Sequence, residues 1–416
     1  MKKEKDPGLD YLQQLGIRAL RNTNVIFDNM DRLFGKEQGQ RFSKLIDKRA
    51  QRESFTDRVD WKEADKTFYD AKNEKYDLSL YLTGAFDGDI VRKACNWIVE
   101  HRDFFGKTIL EIGCDIGLIS CFLAKTFPDS TIIAIDRCKN GLAIGQKLAE
   151  KFELTNVKFI RADANELTDQ YDTVFSMRVM HENHRSVEDT TLLFKQSAHM
   201  FQEGTNTYAQ TLSRLVTENG FVISIERCGK NPLYLGWLWA LRNNGLIFDP
   251  ELYSELKCQE VGKESTFEAS VCVKDLNSDI SEDELYNVFC ATFIGEFNPS
   301  SAQFDGWVAA VMLQNSFNNL IEGYEAYAPN ENNWKFLHLS LWTNSRDASS
   351  LLAYDVKLDE GLRRLYNADI SKKDGWIERN REFCRQLIKN GYIVKKVEYE
   401  DGKIISGATL HHSSDF

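Results

Sequence analysis

The fold of this chain is decided by a short stretch at residues 110–117, which reads LEIGCDIG. A β-rich run, Thr108–Glu111, leads into it, and the helical pattern of Leu118–Thr126 follows. Gly113 and Gly117 allow the backbone to turn sharply and to approach a ligand closely, while the helix N-terminus behind them presents unpaired N–H groups. This strand–loop–helix unit predicts a cradle for a nucleotide-like ligand.

Short apolar runs alternate with helical periodicity after this loop, which is typical of a doubly wound parallel sheet. Such runs are apolar throughout because strands of a parallel sheet are buried on both faces. The sequence therefore predicts an α/β fold with five parallel strands and a terminal pair, about seven strands in all. The predicted strands are 108–111, 131–136, 157–161, 173–176, 220–225, 256–260 and 267–273.

Two further regions flank the predicted sheet. From Leu9 to about Arg52, apolar residues recur at helical spacing among many basic ones, which indicates amphipathic helices. Towards the C-terminus, Ser281 and Glu284 form a capping box that opens a helix, and the rest of the sequence predicts a small α+β domain ending in a hairpin. We therefore expect an N-terminal helical segment or lid (1–83), a central domain (84–275) and a C-terminal α+β domain (276–416).

Composition narrows the class of function. The 416 residues include 52 basic and 63 acidic side chains, and the formal net charge of −11 disfavours a nucleic-acid partner. No stretch approaches about 18 consecutive apolar residues and no apolar signal core follows Met1, so we expect a soluble, cytoplasmic protein without a membrane partner. Nine cysteines with neither CxxC nor Cys/His spacing predict reduced thiols and no metal site.

Carboxylates mark the edge of the sheet where ligands of open α/β folds bind. Asp136 ends the second strand, nineteen residues after Gly117, where it can accept hydrogen bonds from both ribose hydroxyls. Asp163 follows the third strand and can accept from an exocyclic amine. In the loop, Asp115 replaces the middle glycine of a dinucleotide motif, and Glu111 precedes it. Two carboxylates would repel a pyrophosphate, so a ligand with a cationic amine and a sulfonium is favoured over a nicotinamide dinucleotide.

On these residues the sequence resembles the class I S-adenosylmethionine-dependent methyltransferases, over roughly residues 87–275. Their first motif is an acid-x-G-x-G-x-G loop after strand one, and Asp115 departs from it where the family usually has glycine. The resemblance implies a Rossmann-like, mostly parallel, seven-stranded sheet and S-adenosylmethionine as cofactor. The cofactor-binding residues that it implies are Glu111, Gly113 and Gly117 around the methionine part, the loop residue Asp115, Asp136 on the ribose, Asp163 with Ala164 at the adenine, and Ser176.

The resemblance also directs attention to the end of the fourth strand, residues 176–184, which the family commonly places near the transferred methyl group. Methyl transfer is an in-line displacement, so the protein mainly orients the nucleophile and removes its proton. His181 is the best candidate base because imidazole titrates near neutral pH. An equally good interpretation is that His181 caps the next helix or lies in solvent. Glu182 could orient it or act itself, and Glu226 at the end of the fifth strand is a further catalytic candidate.

The leading hypothesis is an enzyme that moves a methyl group from S-adenosylmethionine to an oxygen or nitrogen of a small-molecule acceptor. No Asn-Pro-Pro-aromatic tetrad follows strand four, which disfavours nucleobase amines and protein glutamine as acceptors. The alternative is a non-catalytic S-adenosylmethionine-binding scaffold or sensor whose C-terminal domain recognises a partner, and a nicotinamide-dependent enzyme is a weaker third hypothesis. The amphipathic N-terminal helices could also pack across the two-fold axis of a homodimer.

Overall fold

The structure is a computed structural model that divides into two compact units. The first comprises Met1–Arg185, Gly204–Gly229 and Ala240–Asp279, and the second comprises Ser186–Glu203, Lys230–Trp239 and Ile280–Phe416. The residues that it describes are 6–18, 23–44, 61–180, 194–228, 232–260, 263–278, 280–289, 303–305, 317–329, 335–344, 349–357, 362–400 and 403–416.

The N-terminal part of the first unit is helical, as the apolar spacing predicts. Asp6 caps the first helix by accepting a hydrogen bond from the Leu9 N–H at 2.9 Å. Tyr11 in the same helix is buried, and its hydroxyl donates to the Leu118 carbonyl at 2.8 Å. Residues 36–44 are also helical. The helices before the sheet are α1 (Pro7–Leu15), α2 (Thr23–Phe34), α3 (Trp61–Lys72), α4 (Tyr76–Phe86) and α5 (Gly88–Glu100).

The central sheet has the strand order β3-β2-β1-β4-β5-β8-β6, with β7 paired to β8. Strands β1 to β5 are parallel, and β8 runs antiparallel to its neighbours. The fold class is confirmed: all seven expected strands are present, and the three-residue β6 is an eighth that is too short to leave a pattern. The strands are β1 (Thr108–Ile112), β2 (Thr131–Asp136), β3 (Val157–Arg161), β4 (Tyr171–Met177), β5 (Val216–Glu226), β6 (Leu246–Phe248), β7 (Ser254–Glu260) and β8 (Lys263–Lys274).

The carboxyl ends of β1 to β5 share one edge of this sheet, and a hairpin extends beyond it. The last residue of β5, Glu226, pairs with Glu268, so the part of β8 towards Lys263 continues past the end of β5 and pairs there with β7. Apolar side chains such as Ile109, Phe175 and Ile223 fill the core around the sheet. The connecting helices are α6 (Leu118–Thr126), α7 (Lys139–Lys151), α8 (Phe194–Leu215) and α9 (Pro232–Asn243).

The second unit contains an antiparallel sheet of order β15-β14-β10-β11-β12-β13-β9, which confirms a C-terminal α+β domain. Cys384 and Leu387 of its long helix pack against Leu337 and Leu339 of the sheet. The capping box of Ser281 opens α10 as predicted. The elements are α10 (Glu282–Phe289), β9 (Gln303–Asp305), β10 (Phe317–Tyr327), β11 (Lys335–Asn344), β12 (Ser350–Lys357), β13 (Leu362–Asp369), α11 (Lys373–Lys389), β14 (Ile393–Glu400) and β15 (Lys403–Leu410).

Candidate active site

The loop after β1 requires residues that tolerate a left-handed backbone. Gly113 and Gly117 both have φ of +73°, and Asp115 between them has φ of +47°. A Cβ at Gly113 would lie 2.5 Å from Val179 Cγ2, and one at Gly117 would lie 2.4 Å from Phe159 Cε1. Both glycines are therefore fixed by conformation and by space, whereas aspartate is one of the few other residues that enter the left-handed region readily.

The loop is tied to the end of β2, and this tie orients Asp136. The Cys114 N–H donates to the Ile135 carbonyl at 3.1 Å. The Asp115 N–H donates to Asp136 Oδ2 at 2.8 Å, and the Cys138 N–H donates to Asp136 Oδ1 at 2.7 Å. A carboxylate oxygen can accept more than one hydrogen bond. The backbone thus holds Asp136 in a fixed orientation, as a site for paired hydroxyls needs.

Glu111 is a buried acid directly before the loop. Its side chain is 3% exposed, and Ser120 Oγ donates a hydrogen bond to its Oε2. Burial is the main cause that raises the pKa of Glu111 to about 8; the Ser120 hydrogen bond opposes it, and the nearby carboxylates of Asp136 and Asp115 add to it. At neutral pH Glu111 is therefore mostly protonated, and a cation brought close to it would favour its ionised form.

Asp163 and Ala164 follow β3 at the same edge of the sheet. Asp163 caps a single 3-10 turn, because its Oδ1 accepts from the Asn165 backbone N–H at 3.0 Å and from Asn165 Nδ2 at 2.9 Å. Its Oδ2 lies 3.9 Å from an Arg137 guanidinium nitrogen, and Ala164 is buried. The side chain thus serves as a helix cap in addition to any contact with adenine, and that contact stays a prediction.

Ser176 and Glu226 end neighbouring strands and are both buried. The Ser176 hydroxyl lies 2.8 Å from the Tyr208 hydroxyl in α8. Glu226 Oε1 accepts hydrogen bonds from the Val179 and Met180 N–H groups, each at 3.0 Å. Glu226 therefore holds the backbone that leaves β4, and its catalytic role stays a prediction.

His181 and Glu182, the two candidates for proton transfer, lie outside the described residues, which stop at Met180 and resume at Phe194. The two residues before His181 in the sequence, Val179 and Met180, donate their N–H groups to Glu226. The catalytic roles of His181 and Glu182 therefore stay predictions.

Sequence reasoning missed the residues that surround the Asp115 side chain. Lys72 Nζ lies 2.7 Å from Asp115 Oδ2, and Asn73 Nδ2 donates to Asp115 Oδ1 at 2.7 Å. Lys72 also contacts Asp87 at 3.1 Å. Although burial lowers the pKa of Lys72, the carboxylates of Asp115 and Asp87 outweigh it and raise that pKa above its usual range. Nothing in the sequence marks this lysine, because it reaches the loop through tertiary packing.

A second missed group extends the same set of charges to the end of β4. Arg178 has φ of +61°, forms an ion pair with Asp87 and lies 3.8 Å from Glu260 of β7. Its guanidinium also lies 5.8 Å from the centre of the Phe267 ring. Burial raises the pKa of Asp87, but Lys72 and Arg178 outweigh burial and bring that pKa down to about 2. The loop after β1, the end of β4 and the β7–β8 hairpin are thereby linked by alternating charges.

Two other features bear on the kind of site. Within the described part of the chain, no helix has both the length and the apolar character needed to cross a membrane. The described residues also contain no group of three or more histidine, cysteine, aspartate or glutamate side chains that could hold a metal ion.

Known proteins were compared with this chain by sequence and by structure. A family model described as a methyltransferase domain matches residues 104–289. The release factor glutamine methyltransferase of Buchnera aphidicola subsp. Acyrthosiphon pisum (strain APS) is 27% identical over 173 residues, which are 40% of this chain and 58% of that protein. A ubiquinone biosynthesis O-methyltransferase of Pseudomonas fluorescens (strain Pf0-1) is 27% identical over 130 residues, covering 30% and 53%. The crystal structure of TrmN from Thermus thermophilus aligns with a TM-score of 0.31 and 15% identity, covering 44% of this chain and 48% of that one.

The matched segment contains the loop after β1 and the strand ends that carry Asp136, Asp163, Ser176 and Glu226. Residues 104–289 therefore match a methyltransferase domain, and the resemblance expected from the sequence is confirmed over this segment. The chain spans less than two thirds of the length of the curated relatives that it matches.

Proposed function

We propose that this protein transfers a methyl group from S-adenosylmethionine to an oxygen or a nitrogen of a small molecule. The observation that carries the proposal is the fixed carboxylate of Asp136. Two backbone donors, the Asp115 and Cys138 N–H groups, hold it at 2.8 and 2.7 Å beside a loop with three left-handed residues. A ligand with vicinal hydroxyls would find both carboxylate oxygens already oriented.

The residues around Asp136 fit the other parts of this cofactor. The turn formed by Gly113 and Gly117 would take the methionine part, and Asp163 with the Ala164 backbone would take the adenine. Glu111 would respond to the cationic amine by releasing its proton, because an adjacent positive charge favours the carboxylate. When bound, the cofactor supplies a methyl group on a sulfonium, so the methyl carbon is already activated and needs no further electrophile from the protein.

The chain's own residues would orient the acceptor and remove its proton. We assign proton removal to His181, with Glu182 orienting the imidazole. Glu226 would act through the backbone, since it binds the amides of Val179 and Met180 immediately before His181. Misplacement of a catalytic group by about 1 Å can lower a rate by roughly a hundredfold, so this support is expected to affect turnover.

A small-molecule acceptor is favoured by the end of β4 and by the charge of the chain. The two relatives differ in the acceptor that their names imply, a ubiquinone precursor and a release-factor glutamine. Residues 176–184 read SMRVMHENH and contain no Asn-Pro-Pro-aromatic tetrad, the feature expected of glutamine and nucleobase methylation. The net charge of −11 opposes binding to RNA or DNA.

The proposal extends to the organisation of the whole protein. We assign residues 1–83 to a helical lid, 84–275 to the methyltransferase domain and 276–416 to a separate α+β domain. We also propose that the protein works in the cytoplasm with reduced cysteines, without a membrane or nucleic-acid partner, and that its N-terminal helices form a homodimer interface.

Incubation of the purified protein with methyl-labelled S-adenosylmethionine and a fractionated cell extract tests the acceptor class. We expect label in the small-molecule fraction, and none with the Asp136→Ala variant. Label confined to the protein or RNA fraction would overturn the small-molecule assignment. Cofactor binding without transfer to any fraction would replace the enzyme with the non-catalytic scaffold or sensor.

A further inference from the structure

We infer that Lys72 and Asn73 are positioning residues of the cofactor site, so that the end of helix α3 must be docked on the β1 loop for the cofactor to bind. The inference rests on the proposed function, and it concerns the loop position at which this chain departs from its family. Asp115 stands where the methyltransferase motif usually has glycine, and both of its carboxylate oxygens are bound by the N-terminal segment.

A single residue, Asp115, connects the end of helix α3 to the carboxylate that we assign to the ribose. Lys72 and Asn73 hold the Asp115 side chain, each at 2.7 Å, and the Asp115 N–H donates to Asp136 Oδ2 at 2.8 Å. A rotation of the Asp115 backbone would break this last hydrogen bond. The carboxylate that we assign to the ribose is therefore oriented through a residue whose own conformation depends on α3.

The side-chain amide of Asn73 is held in one orientation, with its nitrogen towards Asp115. Ser79 Oγ in α4 donates to Asn73 Oδ1 at 2.7 Å, and this bond leaves Nδ2 of Asn73 to donate to Asp115. Asn73 is buried, with 2% of its surface exposed. The Asn73 side-chain amide is thus held between Ser79 of α4 and Asp115 of the β1 loop.

Charge explains why Lys72 is needed once aspartate occupies position 115. Asp115 lies beside another acid, because its N–H donates to Asp136 Oδ2 at 2.8 Å. Without the Lys72 ammonium, the Asp115 carboxylate would lie close to that of Asp136 with no described cation bound to it, and repulsion would turn the Asp115 side chain away. A glycine at this position carries no carboxylate and adopts a left-handed φ freely, so it would not need Lys72.

This reasoning predicts that the effects of the two residues on cofactor affinity are coupled. We expect Lys72→Met to weaken binding of S-adenosylhomocysteine roughly tenfold or more in the wild-type background, and less than about twofold in the Asp115→Gly background. Direct contacts in one network commonly show coupling of this size. A purely structural role for Lys72, through its contact with Asp87, would weaken binding by the same factor in both backgrounds.

The experiment is a double-mutant cycle on the full chain, with calorimetric titration of S-adenosylhomocysteine into the wild type, Lys72→Met, Asp115→Gly and the double variant. Lys75→Met makes the same change at an exposed lysine three residues away and should bind like the wild type. Circular dichroism melting of each variant records stability separately. If Lys72→Met does not fold, the same cycle is made with Asn73→Ala, for which the same coupling to Asp115 is expected.

Equal fold-changes in the two backgrounds, with folded proteins, would overturn this inference and leave the proposed function intact. Failure of the wild type to bind S-adenosylhomocysteine would overturn the proposed function, and this inference with it. A coupling of about fivefold or more supports both.

Discussion

Two buried glutamates, one in each sheet, have pKa values shifted in opposite directions. Glu111, at the end of β1, is 3% exposed, and burial raises its pKa to about 8. Glu325, within β10, is 1% exposed, but its pKa lies well below the usual range. Burial would raise that pKa too, and it is outweighed by His338, Lys335 and the hydroxyl of Ser406.

The difference lies in where each glutamate finds its partners. Glu325 has its cation in the sheet: Lys335 Nζ is 3.2 Å from its Oε1, and His338 Nδ1 is 3.6 Å from the same oxygen. Ser340 Oγ in turn lies 3.0 Å from His338 Nε2. Among the residues that the structure describes, Glu111 has no cation within ion-pair distance, and the charges closest to it are acidic. Glu325 is thus paired within its own sheet, whereas the partner that we propose for Glu111 is a cationic ligand.

Loss of the ribose carboxylate is expected to have the largest effect on binding. Asp136→Ala removes an acceptor of two charge-assisted hydrogen bonds to ligand, and each contributes about 1.5 to 3 kcal/mol. We therefore expect at least a hundredfold loss of affinity for S-adenosylhomocysteine in calorimetry, with the protein still folded. Asp129→Ala, which changes an exposed aspartate before β2, should bind normally. Unchanged affinity in Asp136→Ala would remove this edge of the sheet from the cofactor site.

The matching change in the other sheet is expected to affect stability and not binding. Glu325→Ala leaves the Lys335 ammonium and the His338 ring without the carboxylate that they contact. Breaking a buried ion pair in this way costs about 3 to 5 kcal/mol of unfolding free energy. Denaturant unfolding should show this loss, while Glu400→Ala at an exposed position of β14 should not. A Glu325→Ala protein that lost cofactor affinity at full stability would contradict the division between the two sheets.

The backbone support from Glu226 is expected to affect turnover. Glu226→Ala removes the acceptor of the Val179 and Met180 N–H groups, so the chain leading to His181 loses its anchor. We expect kcat to fall roughly ten- to a hundredfold with little change in affinity for the cofactor. Glu226→Gln retains an oxygen that accepts the same bonds and should restore most of the activity. Equal losses in both variants would instead indicate that the negative charge itself acts in catalysis.

The effect of Glu111 on the free energy of unfolding is expected to appear as a slope with pH. Because the pKa of Glu111 is about 8 in the folded protein and 4.5 ordinarily, the folded state binds more protons between these values. This group therefore makes the wild type progressively less stable as pH rises from about 4.5 to 8. Glu111→Gln should remove that slope in denaturant unfolding at pH 5, 6, 7 and 8. If Glu111→Gln kept a slope as steep as that of the wild type, the pKa of Glu111 would be an ordinary one. The control, Glu218→Gln on the exposed part of β5, should retain the slope of the wild type.

The strands and turns that the sequence predicts correctly are those with a clear pattern among neighbouring residues. The strands β1 to β5 and the loop of Gly113 and Gly117 follow from apolar runs and from glycine at fixed offsets. In the second sheet, the sequence does not predict β13, because LRRLYNAD has no apolar alternation, or β10, because Glu322-Gly323 interrupts its apolar pattern.

The site itself was predictable only where its residues belong to the strand ends. Asp136 follows from its spacing after the loop, and the structure adds how it is held. Lys72 and Asn73 lie more than forty positions before Asp115 in the sequence, and only the packing of α3 brings them to it. The buried position of Glu226 beneath the Val179 and Met180 amides likewise depends on how β5 and the chain after β4 meet, which no local pattern encodes.

The central claim is that the carboxyl edge of the parallel sheet binds S-adenosylmethionine through Asp136. Calorimetric titration of the wild-type chain with S-adenosylhomocysteine and, in parallel, with NAD tests it most directly. We predict saturable one-site binding of S-adenosylhomocysteine and no measurable binding of NAD, since Asp115 occupies the place of the middle glycine of the motif that seats a pyrophosphate. Binding of NAD in place of S-adenosylhomocysteine, or of neither, would contradict it.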